Sequence, residues 1–139
     1  MGPPVLTPAE LNHFLHGAFP GAPRGYGVEE VTAVGARLRM PVGVGNERPG
    51  GTVSGPTMMS LADAAAWLAT LSRIGIVPLA VTSNLTINFL AKPGLDQDLY
   101  ADAELLRLGA RSSVTDVRIT SGRNGPLVAQ ATVGYSIPA

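Results

Sequence analysis

One stretch of this chain leaves few folds open: Gly51 to Gly75, GTVSGPTMMSLADAAAWLATLSRIG. It reads as a single long helix with well-marked ends. Ser54 or Gly55 can serve as N-cap, and Pro56 stands in the first turn, where its missing N–H had no partner anyway. Arg73 falls in the last turn, where a cation complements the helix dipole, and Gly75 can take the left-handed conformation that closes a helix. Between those ends apolar residues go nearly all the way round, from Met58 and Met59 through Leu61, Trp67 and Leu71 to Ile74. A helix of that kind has to be buried. It is no membrane span, because Ser60, Asp63, Thr70 and Ser72 interrupt the roughly 18 apolar residues a span requires.

The rest of the chain supplies what buries it. Thr7-Pro8-Ala9-Glu10 is a helix start with a capping box, and Leu11, Phe14, Leu15 and Ala18 give a short amphipathic helix to about Gly17. Pro20 to Gly27 is a Gly/Pro-rich connector. Val28 to Met40 reads as one strand, with Val34, Ala36, Leu38 and Met40 facing one way and Arg37 and Arg39 the other. Pro41 to Gly51 reads as a loop with a short extended piece at Pro41–Val44. Leu79 to Leu90 is the clearest strand: Val81, Leu85, Ile87 and Phe89 alternate with the polar row Thr82, Asn84, Thr86 and Asn88. Leu99–Leu108, Ser112–Thr120 and Leu127–Ile137 complete the set, the last two joined through Asn124-Gly125, a strong hairpin signal.

Helix, strand, long buried helix and four strands joined largely by short turns imply an α+β domain spanning residues 1–139. Residues 1–27 form its N-terminal helix and connector, and 28–137 its core. The core is an antiparallel sheet with one apolar face, curled around a central helix about 28 Å long. One sheet face cannot cover a helix that is apolar all round. The remainder needs a second cover, either the N-terminal helix or another subunit.

Charged residues make up only 14% of the chain and cancel to a formal net charge of zero. Nothing in that balance calls for nucleic acid or an anionic membrane, and so little charge suits a surface partly covered by a homo-oligomeric partner. There is no cysteine, which excludes disulfides and thiolate metal sites and fits a cytoplasmic protein. The first residues, MGPPVLTPAEL, have neither the basic nor the apolar region of a signal peptide.

Asp63 is the residue that asks for an explanation. A carboxylate in a nearly apolar helix is costly unless it is paired, hydrogen-bonded or open to a cavity. Ser60, Trp67 and Thr70 share its stripe. Two readings stand: packing fixed by hydrogen bonds from Ser60 or a neighbouring strand, or a reactive carboxylate. Gly55 adds a backbone N–H at the positive end of the same helix, a place that stabilises an anion or a developing oxyanion. His13 and His16 match no metal-ligand spacing, and Ser54-Gly55 lacks the setting of a nucleophilic serine. No metal and no resident cofactor are expected.

Gly51-Thr-Val-Ser-Gly55-Pro, Leu61-Ala-Asp63-Ala-Ala65, and Val81-Thr82 through Asn88-Phe89-Leu90-Ala-Lys-Pro93 together resemble the hotdog-fold acyl-CoA thioesterases of the phenylacetic acid degradation type. Gly109-Ala-Arg111-Ser and the closing strand extend the likeness over roughly residues 28 to 137. The resemblance implies a curved antiparallel sheet wrapped around one long helix, and hydrolysis of a small aryl- or medium-chain acyl-CoA. By the same resemblance Asp63 is the general base or nucleophile, Gly55 the oxyanion donor and Thr82 a hydroxyl that orients water. It also implies a dimer or tetramer with its sites at the subunit interface. Ser54 stands where the family has histidine and Pro56 where it has a second glycine. The family asparagine before the turn is matched by Arg48 or, with two extra loop residues, by Asn46. Trp67 is placed along the substrate cleft, and Lys92, Arg111 and Arg48 are candidate cations for CoA. The departures keep a second reading open, a non-catalytic module that binds acyl or aromatic CoA ligands. A dehydratase of the same fold would need a histidine near the helix, and none is near it in sequence.

Overall fold

A computed structural model of the protein describes residues 2–43, 46–48 and 50–139, with Glu47 and Arg48 described through their backbone. The first element is α1 (Pro8–Ala18). Its capping box forms as the sequence implies: the Thr7 hydroxyl accepts the Glu10 N–H at 3.2 Å, and the Glu10 carboxylate accepts the Thr7 N–H at 3.0 Å.

The segment read as one strand is a hairpin of β1 (Gly27–Val31) and β2 (Gly35–Met40). Its turn is closed by the Thr32 hydroxyl, which accepts the N–H groups of Val34 and Gly35 at 3.2 and 2.8 Å. Glycine is needed at 35 because a Cβ there would stand 1.7 Å from the Ala103 carbonyl oxygen. The loop after β2 also differs from expectation. Pro41–Gly43 is not extended strand and Val44 lies outside the described residues. The extended pieces are instead β3 (Glu47–Arg48) and β4 (Thr52–Val53), which pair antiparallel.

The central helix α2 runs Gly55–Ile74. Ser54 is its N-cap, accepting the Thr57 N–H at 3.3 Å, and Gly75 closes it with φ +89°. Four strands follow: β5 (Val81–Phe89), β6 (Leu99–Leu108), β7 (Ser112–Ser121) and β8 (Leu127–Ser136). The six-stranded antiparallel sheet has the order β1-β2-β6-β7-β8-β5. Simple hairpin succession therefore fails at one point: β5 crosses to the far edge and pairs with β8, not with β6.

α2 lies on the concave face. Its inward side is rich in alanine, with Ala62, Ala65, Ala66 and Ala69 all at most 1% exposed, and this lets the helix axis approach the sheet closely. Leu61, Leu68 and Leu71 fill the rest against Leu38, Ala101, Val117, Ile119, Ala131 and Val133, all essentially inaccessible. Each such leucine contributes about 1.5–3 kcal/mol through removal from water. The wrapped-helix architecture expected from the resemblance is the one observed.

The second cover of α2 is partly supplied by its own chain. Phe14 and Phe19 meet the Trp67 ring edge-on at 5.3 and 6.1 Å. α1 is held to the outer edge of β1 by Asn12, whose carboxamide donates to the Val28 carbonyl at 2.9 Å and accepts the Val28 N–H at 2.7 Å. That side chain occupies the place of a neighbouring strand and shields the edge. The opposite edge, β5, is open and carries exposed Val81 and Phe89.

β5 also corrects the phase read from its alternation. Thr82 pairs with Tyr135 and Asn84 with Gly134, so Ser83 is an extra residue in a β-bulge. Gly134 accommodates it: a Cβ there would lie 2.8 Å from Asn84 Oδ1 and 2.9 Å from Ser83 Oγ. Past the bulge, Leu85 and Ile87 still face the helix. Before it the sense flips, so that Val81 is turned outward and Thr82 inward.

Candidate functional site

The bulge delivers Thr82 to Asp63. Its hydroxyl donates to Asp63 Oδ1 at 2.6 Å, and the Tyr135 hydroxyl donates to the same oxygen at 2.7 Å and to the Asp63 backbone carbonyl at 3.1 Å. Both donors come from neighbouring strands, at positions that are register partners of one another. Asp63 is nevertheless not sealed in. It is half-buried and lines a cavity of about 500 Å³ with Phe19, Tyr26, Met40, Ala64, Trp67 and Tyr135, enough room for a small acyl group.

The cavity wall opposite α2 is the connector between α1 and β1, from Ala18 to Tyr26. It is tied down by the Asn12 clamp and by His16, whose Nε2 lies 2.7 Å from the Tyr26 carbonyl oxygen. The lining is mainly apolar, and its polar side chains are Asp63, Ser60, Tyr26 and Tyr135. Burial, and then the charge of Asp63, push the Tyr26 phenol up to about 12. Tyr135 is raised further, by burial first, opposed by the Thr82 hydroxyl and aided by its hydrogen bond to Asp63, so both phenols remain protonated at any physiological pH. The Trp67 indole Nε1 is buried without a hydrogen-bond partner.

Gly55 belongs to a different cavity. It lines a space of about 440 Å³ together with Thr52, Met58, Phe89 and Lys92. Among the described residues its N–H has no backbone partner, as expected for the first residue of a helix. A Cβ at this position would come within 3.2 Å of Phe89 Cζ. Asp63 lies eight positions beyond Gly55, roughly 12 Å along the axis. One chain therefore holds the helix-start N–H of Gly55 and the Asp63 carboxylate at two places, not at one.

The other sequence candidates divide. Trp67 lines the Asp63 cavity and Lys92 the Gly55 cavity. Ser54 is engaged as the cap, with its Oγ also 2.8 Å from Thr57 Oγ1, and Pro56 is exposed in the first turn. Asn46 folds back on its own turn, accepting the Gly43 N–H at 2.9 Å, while its carbonyl accepts the Ser54 N–H at 2.8 Å. Its backbone carbonyl braces the helix start, and its carboxamide oxygen is engaged within its own turn. Arg111 sits between β6 and β7, its carbonyl bonded to the Ile137 N–H at 2.8 Å, and lines neither cavity. The Arg48 side chain lies outside the described residues. Tyr135 was not among the candidates. Its only signal in the sequence is a hydroxyl on an otherwise apolar inward row.

Residues 50–128 match the model of the thioesterase superfamily. Among solved structures, a candidate thioesterase from Silicibacter sp. TM1040 is 34% identical, with a TM-score of 0.88 over 98% of this chain and 94% of that one. Zebra fish thioesterase superfamily member 2 is 20% identical over 96% and 99% of the two chains, with a TM-score of 0.83. A hypothetical thioesterase from Streptococcus pneumoniae TIGR4, in complex with coenzyme A, is 24% identical over 91% and 96%, with a TM-score of 0.79. None of the curated proteins matches the chain in sequence. No helix among the described residues is long and apolar enough to cross a membrane. With its family model spanning more than half of its length and its helix wrapped in a six-stranded antiparallel sheet, the chain belongs to the thioesterase superfamily of hotdog fold.

Proposed function

We propose that the protein is an acyl-CoA thioesterase acting on small aryl- or medium-chain acyl-CoA, of the phenylacetic acid degradation kind, as a cytoplasmic homodimer or tetramer. The observation that carries this reading is the Asp63 carboxylate, held by two hydroxyls and open to an apolar cavity of acyl size. The acyl group occupies that cavity. Either the carboxylate takes a proton from water as water adds to the thioester carbon, or it adds to that carbon itself and the resulting anhydride is hydrolysed. In both routes charge develops on the carbonyl oxygen, the C–S bond breaks and CoA leaves as its thiol.

The oxyanion donor is the Gly55 N–H of a second subunit. Gly55 and Asp63 of one chain line separate cavities, and the open β5 edge with exposed Val81 and Phe89 is a surface a second copy would pair with. Lys92 beside Gly55 supplies a cation for a CoA phosphate. The relative from Streptococcus pneumoniae that holds coenzyme A supports this choice of substrate.

The test is a panel of acyl-CoA esters assayed with the wild-type protein and with Asp63→Asn and Asp63→Ala. Hydrolysis by the wild type and a loss of at least 10³-fold in both variants is expected. Unchanged turnover in the variants removes Asp63 from the reaction. One observation favours a second reading, a module that binds CoA esters without cleaving them. The side chains of Ser54 and Asn46, which could orient substrate, are committed to the helix cap and to a local turn. Tight binding of an acyl-CoA with no hydrolysis by the intact protein would establish it.

A further inference from the structure

We propose that Tyr135 is a positioning residue which, with Thr82, ties down Asp63 Oδ1 and leaves Oδ2 as the oxygen that meets substrate or water. This inference rests on the thioesterase reading and specifies how its carboxylate is aimed.

Both hydroxyls reach one oxygen, at 2.6 and 2.7 Å, while among the described residues Oδ2 has no hydrogen-bond partner. A carboxylate oxygen that accepts two short O–H bonds is poorly placed to take up a further proton or to attack, because its lone pairs are engaged. The other oxygen keeps its lone pairs, and the half-buried Asp63 borders the cavity. Tyr135 also donates to the Asp63 backbone carbonyl at 3.1 Å, which fixes the carboxylate relative to the helix that carries it.

The arrangement is built by the strands. Thr82 and Tyr135 are register partners across β5 and β8, so their side chains stand side by side on one face. The Ser83 bulge turns Thr82 to that face. At 4% exposure the Tyr135 ring has little freedom to swing away.

Asp63 is faced by few other titratable groups. Tyr26 comes from the connector and Tyr135 from β8; β5 offers only the Thr82 hydroxyl, and α2 itself presents Ser60 and Trp67 to the same cavity. No described cation forms an ion pair with Asp63. The two hydroxyls are therefore the direct support of the carboxylate's orientation, and removing either one frees it to turn.

The experiment compares Tyr135→Phe, Thr82→Val and Thr82→Ser with the wild type in three readouts. These are kcat and KM for the best acyl-CoA of the panel, and Tm. Tyr135→Phe is expected to lower kcat about 10- to 100-fold with KM changed less than about threefold. Thr82→Val should act in the same direction, and Thr82→Ser should restore most of the activity. Tyr135→Phe that merely melts earlier, with kcat and KM unmoved, overturns the proposal. If Asp63→Asn is inactive and Tyr135→Phe matches the wild type, Tyr135 loses its role and the thioesterase reading stands. If the wild type hydrolyses no thioester, the thioesterase reading fails, and the role assigned to Tyr135 in turnover fails with it.

Discussion

Replacing Asn12 by alanine should loosen one wall of the Asp63 cavity without touching the cavity itself. The Asn12 carboxamide makes two bonds, of 2.9 and 2.7 Å, to the backbone of Val28, a residue only 5% exposed. Asn12→Ala leaves that N–H and that carbonyl without partners. Each orphaned group costs about 1–3 kcal/mol when water is shut out, and at a sheet edge the lower half of that range applies, giving about 3 kcal/mol together. At roughly 2 cal/mol/K of unfolding entropy per residue, this chain should lose about 10 °C in Tm. Thermal unfolding by circular dichroism, at one fixed protein concentration, measures it. Gly27→Ala supplies the control. Its Cβ would stand 2.6 Å from Asn12 Oδ1, so this variant should evict the same carboxamide and cost a similar amount. Once Asn12 is gone that collision no longer exists, so the double variant should be hardly less stable than either single one. Additive losses, about 20 °C in the double variant, would refute the clamp.

Two further outcomes test other parts of the structure. Gly55→Ala should fold normally, because half-exposed Phe89 can turn aside from a Cβ 3.2 Å away, yet lose about 10²-fold in kcat through crowding of the anion-binding N–H. Wild-type turnover in that variant would exclude the Gly55 turn as the oxyanion site. The bidentate pair of Arg123 with Glu29, at 2.8 Å for both contacts, predicts a pH effect on stability. The hydrogen bond from Arg123, aided by the charges of Arg123, Arg39 and Arg37 and opposed by burial, holds the Glu29 carboxyl below its ordinary value of 4.5. A carboxyl with a lowered folded pKa contributes stability above its unfolded value and loses it as pH falls through the folded one. The difference in Tm between wild type and Arg123→Met should thus be constant from about pH 7 to 5 and shrink below about pH 4. A difference that grows in acid would contradict it.

The features legible in the sequence were those set by local chemistry. Both ends of α2 follow from Ser54, Pro56 and Gly75, whose capping roles need no knowledge of distant parts of the chain, whereas Arg73 in the last turn donates to the Thr32 and Gly35 carbonyls of the β1–β2 turn. The Thr7 capping box, the Asn124 turn with its φ of +60° and the inward row of β8 are of the same kind. Asp63 stood out because a carboxylate is conspicuous in an apolar helix. What escaped is what pairing decides. Val28–Met40 alternates well enough to read as one strand, and the turn at Thr32 depends on Gly35 passing over the Ala103 carbonyl, a residue far along the chain. The inward turn of Thr82 depends on Ser83 bulging opposite Gly134, and alternation within β5 cannot reveal an extra residue. Tyr135 passed as another inward apolar side chain, since its hydroxyl acquires a task only where α2 crosses β8. Asn12 looked like any polar residue on an amphipathic helix.

The connector from Phe19 to Tyr26 is in no strand, whereas Asp63, Thr82 and Tyr135 stand on elements locked together by helix and ladder geometry. On the proposed reading, the part of the molecule that judges the acyl group is free to drift while the part that cleaves the thioester is not. Changes of size or polarity along that one stretch could retune substrate range in a lineage, or in a directed library, at little risk to the fold. Its attachment through Asn12 and His16 marks where such variation should stop.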